Sequence, residues 1–203
     1  MAVSDTYFNM TNKKYLYNIT AIENIPSIMQ YGILCYDEVQ NTPHESIAMN
    51  DVQKRRDNIK VPDGLRLHSY ANLYFDYHNP MLYKRQDMAE DICILALSIK
   101  VLDIDDCIVS DRNAATTLAK FYPASEGLSK LDFHSIFIRD WNDTDPYIKR
   151  ELRHKKCAEI LIPKSIPFEY VCGANVVSES AKQKMVDLGF NKRIAVSSEV
   201  FYR

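Results

Sequence analysis

The chain has 203 residues, of which 46% are hydrophobic and 26% are charged, and this balance is typical of one globular domain with a real core and inserted loops. Its formal net charge of −2 excludes a global basic field, so any binding of nucleic acid must use a local patch. Five widely spaced cysteines and the lack of a long apolar run argue against a disulfide framework, a metal site and a membrane span, and we expect a cytoplasmic protein.

The beginning of the chain predicts an irregular lead-in, then a strand, then a helix. Residues 1–13 are polar and show no period, which is typical of a loose terminus. Residues 14–20 alternate and are rich in β-forming side chains, so they predict a strand. Thr20 and Glu23 have the spacing of a capping box, and Gly32 supplies the stop of the helix that would follow.

A long loop with a helical insert is predicted next, at about residues 35–67. The insert, at 46–60, carries Lys54, Arg55 and Arg56. Loops of this length are usually functional or disordered. The basic run is by default a solvated helix face, but its position before an aromatic-rich segment makes phosphate contact an equally good interpretation.

The centre of the chain, residues 65–83, is rich in aromatic side chains that suit either a core or stacking surfaces for bases and nicotinamide. Within it, Asn79 and Pro80 mark a turn that starts a short helix. Residues 92–101 form a nearly continuous apolar run, which predicts a central strand that is covered on both faces.

The second half of the chain predicts strands that cluster late. The predicted elements are a strand at 105–110, a helix capped by Asp111 or Asn113 and ending near Tyr122, a loop-rich region at 123–144, a helix opened by Asp145 and Pro146, a strand at 157–163, a strand at 170–177, a helix at 178–188 closed by Gly189, and a final strand at 193–202. This order predicts an α+β fold in one domain, residues 1–203, rather than regular βαβ alternation.

One carboxylate, that of Glu159, stands in the middle of an apolar strand. Alternation places it on the same face as Cys157 and Leu161, and places Ile160 and Ile162 on the other face. Because an unpaired carboxylate is costly to bury, Glu159 must face a polar cavity or a partner, unless the strand is an edge strand that exposes it to solvent. The residues of this strand leave both alternatives open.

The familiar nucleotide and metal motifs are absent, since the sequence has no phosphate-binding loop, dinucleotide fingerprint or zinc-binding histidine pair. The scattered histidines are more typical of structural residues, and Cys157 is more typical of a packed thiol than of a nucleophile. What remains is a strand carboxylate, a loop-borne arginine pair and a tyrosine cluster. Transfer from a glycosidic bond needs such a set: the carboxylate stabilises a positive sugar, arginine holds a diphosphate, and aromatic rings enclose nicotinamide.

Seven segments, taken in order, resemble the DarT toxins, which are DNA ADP-ribosyltransferases of toxin–antitoxin systems. The segments are SIA at 46–48, VQKRR at 52–56, VP at 61–62, LHSY at 67–70, LYF at 73–75, NPMLY at 79–83 and CAEILIP at 157–163. The resemblance runs from about Tyr15 to the C-terminus, and the ordered combination is far more specific than any one segment.

The resemblance implies an ADP-ribosyltransferase fold, in which a split central β-sheet holds NAD+ as co-substrate in a cleft. It implies that Glu159 and Arg56 are catalytic, with Arg55 as the alternative arginine if the register shifts by one. The family's first-strand motif Y-H-I-T contacts NAD+, and Asn18 stands here in place of its histidine; asparagine keeps hydrogen bonding but not imidazole chemistry. The residues implied to contact NAD+ are Tyr17, Asn18, Thr20, Arg55, Tyr74, Met81 and Tyr83.

The resemblance also implies the other substrate. Residues 35–67 would form the NAD-binding loop, and residues 111–155 would form the region that recognises DNA. The basic candidates for contact with DNA are Lys54, Lys120, Arg139, Lys149, Arg150 and Arg153. A target base must be exposed for attack, so we expect single-stranded DNA, with the NLYF and GLRLH spellings favouring guanine over thymine. The family further implies a macrodomain antitoxin as partner.

Two rival functions stay open on the sequence. The same NAD+ chemistry can be aimed at protein or RNA, and the tyrosines with the Lys54–Arg56 run also suit a non-enzymatic module that binds nucleic acid.

Overall fold

The computed structural model describes residues 1–201 and contains ten strands and nine helices within them. The strands are β1 (Tyr15–Ala21), β2 (Ile33–Leu34), β3 (Tyr70–Tyr74), β4 (Ile92–Ser98), β5 (Ile108–Ser110), β6 (Phe121–Pro123), β7 (Glu159–Pro163), β8 (Ser165–Ile166), β9 (Val171–Val176) and β10 (Arg193–Val196). The helices are α1 (Val3–Thr11), α2 (Ile25–Tyr31), α3 (Tyr36–Val39), α4 (Asn50–Asp57), α5 (Pro80–Tyr83), α6 (Ala124–Gly127), α7 (Phe133–Phe137), α8 (Pro146–Lys155) and α9 (Glu179–Asp187).

Eight strands form one sheet in the order β10-β9-β4-β1-β3-β7-β5-β6, and β2 pairs with β8 in a separate ladder. All neighbours in the sheet are antiparallel except β9 and β10. β1 pairs with β4 along its full length, but it meets β3 at one registered pair, Tyr17 with Tyr74. The sheet is therefore two four-stranded halves that diverge around this pair, as expected for an α+β fold with a split sheet.

The core lies against the central strands, as the hydrophobic pattern predicts. Ile92, Cys93, Ile94 and Leu95 of β4 are fully buried, which agrees with a strand that is covered on both faces. The two faces of β7 enter different clusters: Ile160 and Ile162 join the main core, whereas Leu161 packs in a smaller cluster with Val61, Leu67, Tyr70 and Ala114.

The predicted loose lead-in is wrong, because residues 3–11 form α1. Tyr7 is fully buried, and its ring lies 5.7 Å from that of Phe75 and 5.8 Å from that of Phe133. The Ser4 backbone N–H and hydroxyl both donate to the Asp103 carboxylate, at 2.9 and 2.5 Å. These contacts are all distant in sequence, so local composition gives no sign of them.

Two further predictions, in which a polar side chain caps a helix, are wrong. Thr20 does not cap a helix; it belongs to β1, and its hydroxyl accepts a bond from Asn24. The helix predicted to end near Tyr122 is a turn followed by β6, because the Asp111 side chain accepts the Lys120 backbone N–H and so closes a β5–β6 hairpin. In the second case a short polar side chain provides a backbone N–H with a partner outside a helix.

Two other elements are shorter than the sequence predicts. The helix expected at 46–60 is α4, which spans Asn50–Asp57. The final strand, expected at 193–202, ends at Val196, and residue 202 lies outside the described residues. The short helix after Asn79 and the helix after Asp145 are confirmed, and in each the capping side chain accepts two backbone N–H groups.

Gly32 closes α2 with a φ of +80°, and a Cβ added there would overlap the Ile166 carbonyl oxygen. We expect Gly32→Ala to lower the free energy of unfolding, measured by urea denaturation, by well over the roughly 1–2 kcal/mol that a left-handed backbone costs an alanine. Gly189→Ala is the matched control, because its φ is +84° but its nearest neighbour, Met29 Cε, lies 3.7 Å away. Equal losses in the two variants would contradict the overlap with Ile166.

Candidate active site

A cavity of about 600 Å³ opens where the two halves of the sheet diverge. Asn18 and Thr20 of β1 and Asn72 and Tyr74 of β3 form its floor, and residues of α4 and α8 form its walls. Its volume lies in the range of about 300–1,000 Å³ that small-molecule sites occupy. The split between β1 and β3 thus creates a ligand-sized cavity.

A buried ion pair lies at the inner end of this cavity. Arg56 Nη1 donates to both oxygens of the Glu159 carboxylate, at 3.2 Å to Oε1 and 3.0 Å to Oε2. The backbone N–H of Ala114 donates to Oε1 at 2.9 Å. Glu159 is 1% exposed and Arg56 is 8% exposed. Three donor contacts therefore compensate a carboxylate that has left water almost completely.

The position of Glu159 decides between the two interpretations of its strand. β7 lies between β3 and β5 in the sheet, so the edge-strand alternative is wrong. Arg56 borders the cavity, whereas Glu159 lies directly behind its guanidinium. Arg55 also borders the cavity but is exposed, so Arg56 is the arginine of the pair that contacts the carboxylate.

The helix that carries Arg56 is anchored by His68. The ring nitrogens of this buried histidine lie 3.0 Å from Gln53 Oε1 and 3.0 Å from Asp57 Oδ1, both on α4. Tyr36 stacks on the same ring with centroids 4.1 Å apart. Since His68 lies two residues before β3, it fixes the helix with Arg56 relative to the strand that pairs with β7.

The turn after β5 delivers the Ala114 N–H to the site. Ser110 is fully buried; its hydroxyl accepts the Glu159 backbone N–H at 3.0 Å and donates to the Arg112 carbonyl at 2.7 Å. Arg112 also pairs with Glu151 of α8 at 3.0 Å. Two strands and a helix thus hold the turn in one conformation, and the turn holds the carboxylate of Glu159.

The Cys157 thiol and the Tyr74 hydroxyl of the site both stay protonated near neutral pH. Cys157 borders the cavity, and burial raises the pKa of its thiol to about 12, so the thiol stays protonated near neutral pH. Burial, with the Glu159 charge beside it, also raises the pKa of Tyr74 far above its ordinary value. Tyr74 therefore presents a neutral hydroxyl and an aromatic face to the cavity.

The structure brings most of the predicted site residues together around the cavity. Those that border it are Asn18, Thr20, Arg55, Arg56, Tyr74, Met81, Lys149, Arg150 and Arg153.

Five predicted residues lie elsewhere. Tyr17 does not border the cavity; it packs edge-on against Tyr77, with centroids 4.9 Å apart. Tyr83 and Arg139 border a second, smaller pocket. Lys54 and Lys120 are exposed and border neither space.

Several residues that build the site carry no signal in the sequence. Ala114 acts through its backbone, and Ser110 and His68 act through partners that are distant along the chain. Lys156 is buried beside the site and donates to the Asp76 carboxylate at 2.6 Å, which ties the start of β7 to the loop after β3. Only the tertiary structure identifies these roles.

Within residues 1–201, no group of three or more His, Cys, Asp or Glu side chains could hold a metal ion. None of the helices described there is long and apolar enough to cross a membrane.

The family model and the relatives that match this chain name the same family of proteins. Residues 17–202 match the family model described as "DarT: ssDNA thymidine ADP-ribosyltransferase". A protein of Thermus sp. (strain 2.9) named "DNA ADP-ribosyl transferase" is 30% identical over 184 residues, which cover 85% of this chain and 86% of that protein.

A protein of Thermosipho africanus named "DNA ADP-ribosyl transferase-DNA ADP-ribosyl glycohydrolase fusion protein" is 29% identical over 189 residues. The match covers 89% of this chain but 47% of the fusion protein, so the chain spans about half of that relative.

Solved structures of the Thermus sp. 2.9 protein share the fold. Its complex with ADP-ribosylated ssDNA superposes with a TM-score of 0.80 at 27% identity, covering 94% of this chain and 97% of that one. Its complex with NAD+ gives a TM-score of 0.76 at 25% identity, covering 93% and 98%.

The turn at Ser110 gives a stability prediction. Ser110→Ala leaves the Glu159 N–H without its buried acceptor, so we expect it to lower the free energy of unfolding by about 1–3 kcal/mol in urea denaturation. Ser129→Ala is the control, because its hydroxyl also donates to one backbone carbonyl, that of Glu126, but at an exposed site. The role of Ser110 is refuted if both variants stay within about 0.5 kcal/mol of the unsubstituted chain.

Proposed function

This chain belongs to the DarT family, and from that membership we propose that it is an NAD+-dependent enzyme that transfers ADP-ribose to a base in single-stranded DNA. The observation that carries the proposal is the Arg56–Glu159 pair at the inner end of a ligand-sized cavity. The Thermus sp. structures with NAD+ and with ADP-ribosylated ssDNA support both substrates.

On the NAD+ side, the cavity would take the nicotinamide ribose and the diphosphate, with residues 35–67 as the binding loop. Tyr74 supplies an aromatic surface on the floor, and Met81 and Arg55 border the same space. Asn18 is held towards the cavity by the bond from its Nδ2 to the Asn72 carbonyl, at 3.3 Å. Its amide can therefore still hydrogen-bond the co-substrate where the family has histidine.

The ion pair suggests how the co-substrate reaches the carboxylate. Arg56 stands between the cavity and Glu159, and the diphosphate is a competing anion for its guanidinium. We propose that Arg56 exchanges part of its contact with Glu159 for contact with the phosphates or the target base. Glu159, still held by the Ala114 N–H, then faces the nicotinamide ribose.

The transfer step is a substitution at C1′ of that ribose. The bond from C1′ to the nicotinamide nitrogen breaks, its electron pair leaves with neutral nicotinamide, and the Glu159 carboxylate stabilises the positive charge on the sugar. A nitrogen of the DNA base forms the new bond to C1′ and loses a proton. We assign that proton to Glu159, the carboxylate that Arg56 contacts at the inner end of the cavity.

On the DNA side, the charged residues of α8 fall into two sets. Glu151 pairs with Arg112, and Lys155 pairs with Asp132 at 2.8 Å. Lys149, Arg150 and Arg153 border the cavity instead.

Within residues 1–201 none of these three cations forms an ion pair with an acidic side chain. Unpaired cations beside a cavity favour binding of a polyanion, so we propose that these three contact DNA phosphates within a recognition region at 111–155.

The target base has two candidates. The NLYF and GLRLH segments, at 72–75 and 64–68, favour guanine, whereas the description of the matched family names thymidine. We propose that the target is a guanine or a thymine base of single-stranded DNA.

The biological setting follows the family. We propose that the chain is a toxin that acts in the cytoplasm on DNA, and that a macrodomain antitoxin removes the modification. The Thermosipho africanus relative, whose name joins a transferase with a glycohydrolase, supports such a pairing.

The activity is tested with labelled NAD+ and four single-stranded oligonucleotides that differ only in one central base. We expect label on one oligonucleotide, with the modified base identified by mass spectrometry. Glu159→Gln keeps the size of the side chain but removes the charge and replaces one acceptor oxygen with an amide donor, so we expect activity to fall about 100-fold or more. Glu169→Gln, at an exposed glutamate outside the cavity, should change little.

Three results would contradict the proposal. Label on added protein or RNA but not on DNA would redirect the substrate. Full activity in Glu159→Gln would remove the carboxylate from the mechanism. Binding of DNA without any transfer would favour the non-enzymatic module.

The three α8 cations give a separate prediction about salt. For a single strand, the logarithm of the binding constant falls with the logarithm of the salt concentration, with a slope of about −0.7 for each phosphate neutralised. Lys149→Ala should therefore make this slope shallower by about 0.7. Lys182→Ala is the control, since that lysine pairs with Glu179 on α9. The measurement is fluorescence anisotropy over a salt series, and an unchanged slope in Lys149→Ala would refute the contact.

A further inference from the structure

A second pocket, of about 340 Å³, lies beside the cavity. Arg139, Trp141 and Asn142, from the segment between α7 and α8, line it, and His78 lies on its other side. Lys149 and Arg153 border both this pocket and the cavity, so α8 forms the wall between the two spaces.

The shared wall is basic on both sides. Lys149 and Arg153 are four residues apart on α8, so they lie on one helical face. Arg139 adds a third cation to the second pocket, and in the chain up to residue 201 none of the three pairs with a carboxylate. An anion that spans the wall would contact both Lys149 and Arg153. If that anion is part of a longer ligand, one end of the ligand would lie in the cavity and the other end in the second pocket.

The second pocket also has an aromatic border that is held in place. The Trp141 and His78 ring centroids lie 5.1 Å apart at an interplanar angle of 64°. Lys156 Nζ lies 5.6 Å from the Trp141 ring centroid, and that lysine is fixed by Asp76. An aromatic ring beside cations is the combination that binds single-stranded nucleic acid, because bases stack on the ring while cations hold the backbone.

We propose that this pocket is a subsite for the nucleotide next to the target base in the same strand. The phosphodiester between the two nucleotides lies over Lys149 and Arg153, and the neighbouring base packs against Trp141. The side-chain amide of Asn142 can bond an edge of that base, because it offers both a donor and an acceptor. The inference rests on the proposed function, since the target base occupies the cavity.

The subsite is tested with oligonucleotides that carry the target base and one abasic nucleotide, placed directly on its 5′ or its 3′ side. Loss of a stacked base should lower kcat/KM of the unsubstituted enzyme about ten-fold or more at one of the two positions. In Trp141→Ala the same abasic nucleotide should cost little, because the stacking partner is already gone. Trp141→Phe should restore most of the discrimination.

Tyr147→Ala is the matched control, because this aromatic residue of α8 is 63% exposed and borders neither pocket. It should respond to the abasic nucleotide as the unsubstituted enzyme does. Asn142→Ala, at an exposed side chain, provides a second test that does not disturb the contact of Trp141 with Lys156. Its kcat/KM should lose part of the preference between bases at the same flanking position.

Binding measurements separate this inference from the proposed function. Anisotropy of the same oligonucleotides without NAD+ reports the subsite even if no base is modified, whereas absence of all modification would refute the transferase activity. The subsite is refuted if the abasic nucleotide on the 5′ side and the one on the 3′ side both leave binding and kcat/KM unchanged. It is equally refuted if the abasic nucleotide costs Trp141→Ala as much as it costs the unsubstituted enzyme.

Discussion

The buried ion pair between Arg56 and Glu159 is the constraint on which the surrounding structure depends. A carboxylate in the interior is tolerated only when charge and hydrogen bonds replace the water it has lost. Three separate elements meet here for that reason: α4 brings the guanidinium, β7 brings the carboxylate, and the turn after β5 brings the Ala114 N–H. The supports provided by His68 and Ser110 keep these three elements in place.

The split of the sheet explains why this polar arrangement lies beside open space. A continuous sheet would pair β1 with β3 along its length and leave no room between them. Here the strands meet at Tyr17 and Tyr74, and the polar side chains Asn18 and Asn72 face the gap. The same divergence that interrupts the hydrogen-bond ladder therefore provides polar groups for a ligand.

Local signals in the sequence predict the parts of the fold that local chemistry determines. The apolar run of β4, the Asn79 and Asp145 caps and the glycine stop after α2 are all of this kind. The sequence could not predict α1, because Tyr7 is buried by distant aromatic residues. Nor could it show which lysine or arginine has an acidic partner, since pairs such as Lys156 with Asp76 form across the fold. Glu159 and Arg56 were predicted through family resemblance, whereas their bond to the Ala114 backbone required the structure.

The separation of charges along α8 has a consequence for the approach of DNA. The chain as a whole carries a net charge of −2, whereas Lys149, Arg153 and Arg139 place positive charge beside the two pockets. At physiological ionic strength charges are screened over about 8 Å, so a distant strand is not drawn in by a broad positive potential. Attraction begins only when the strand is already close to the cleft, and encounters elsewhere on the surface are therefore short-lived.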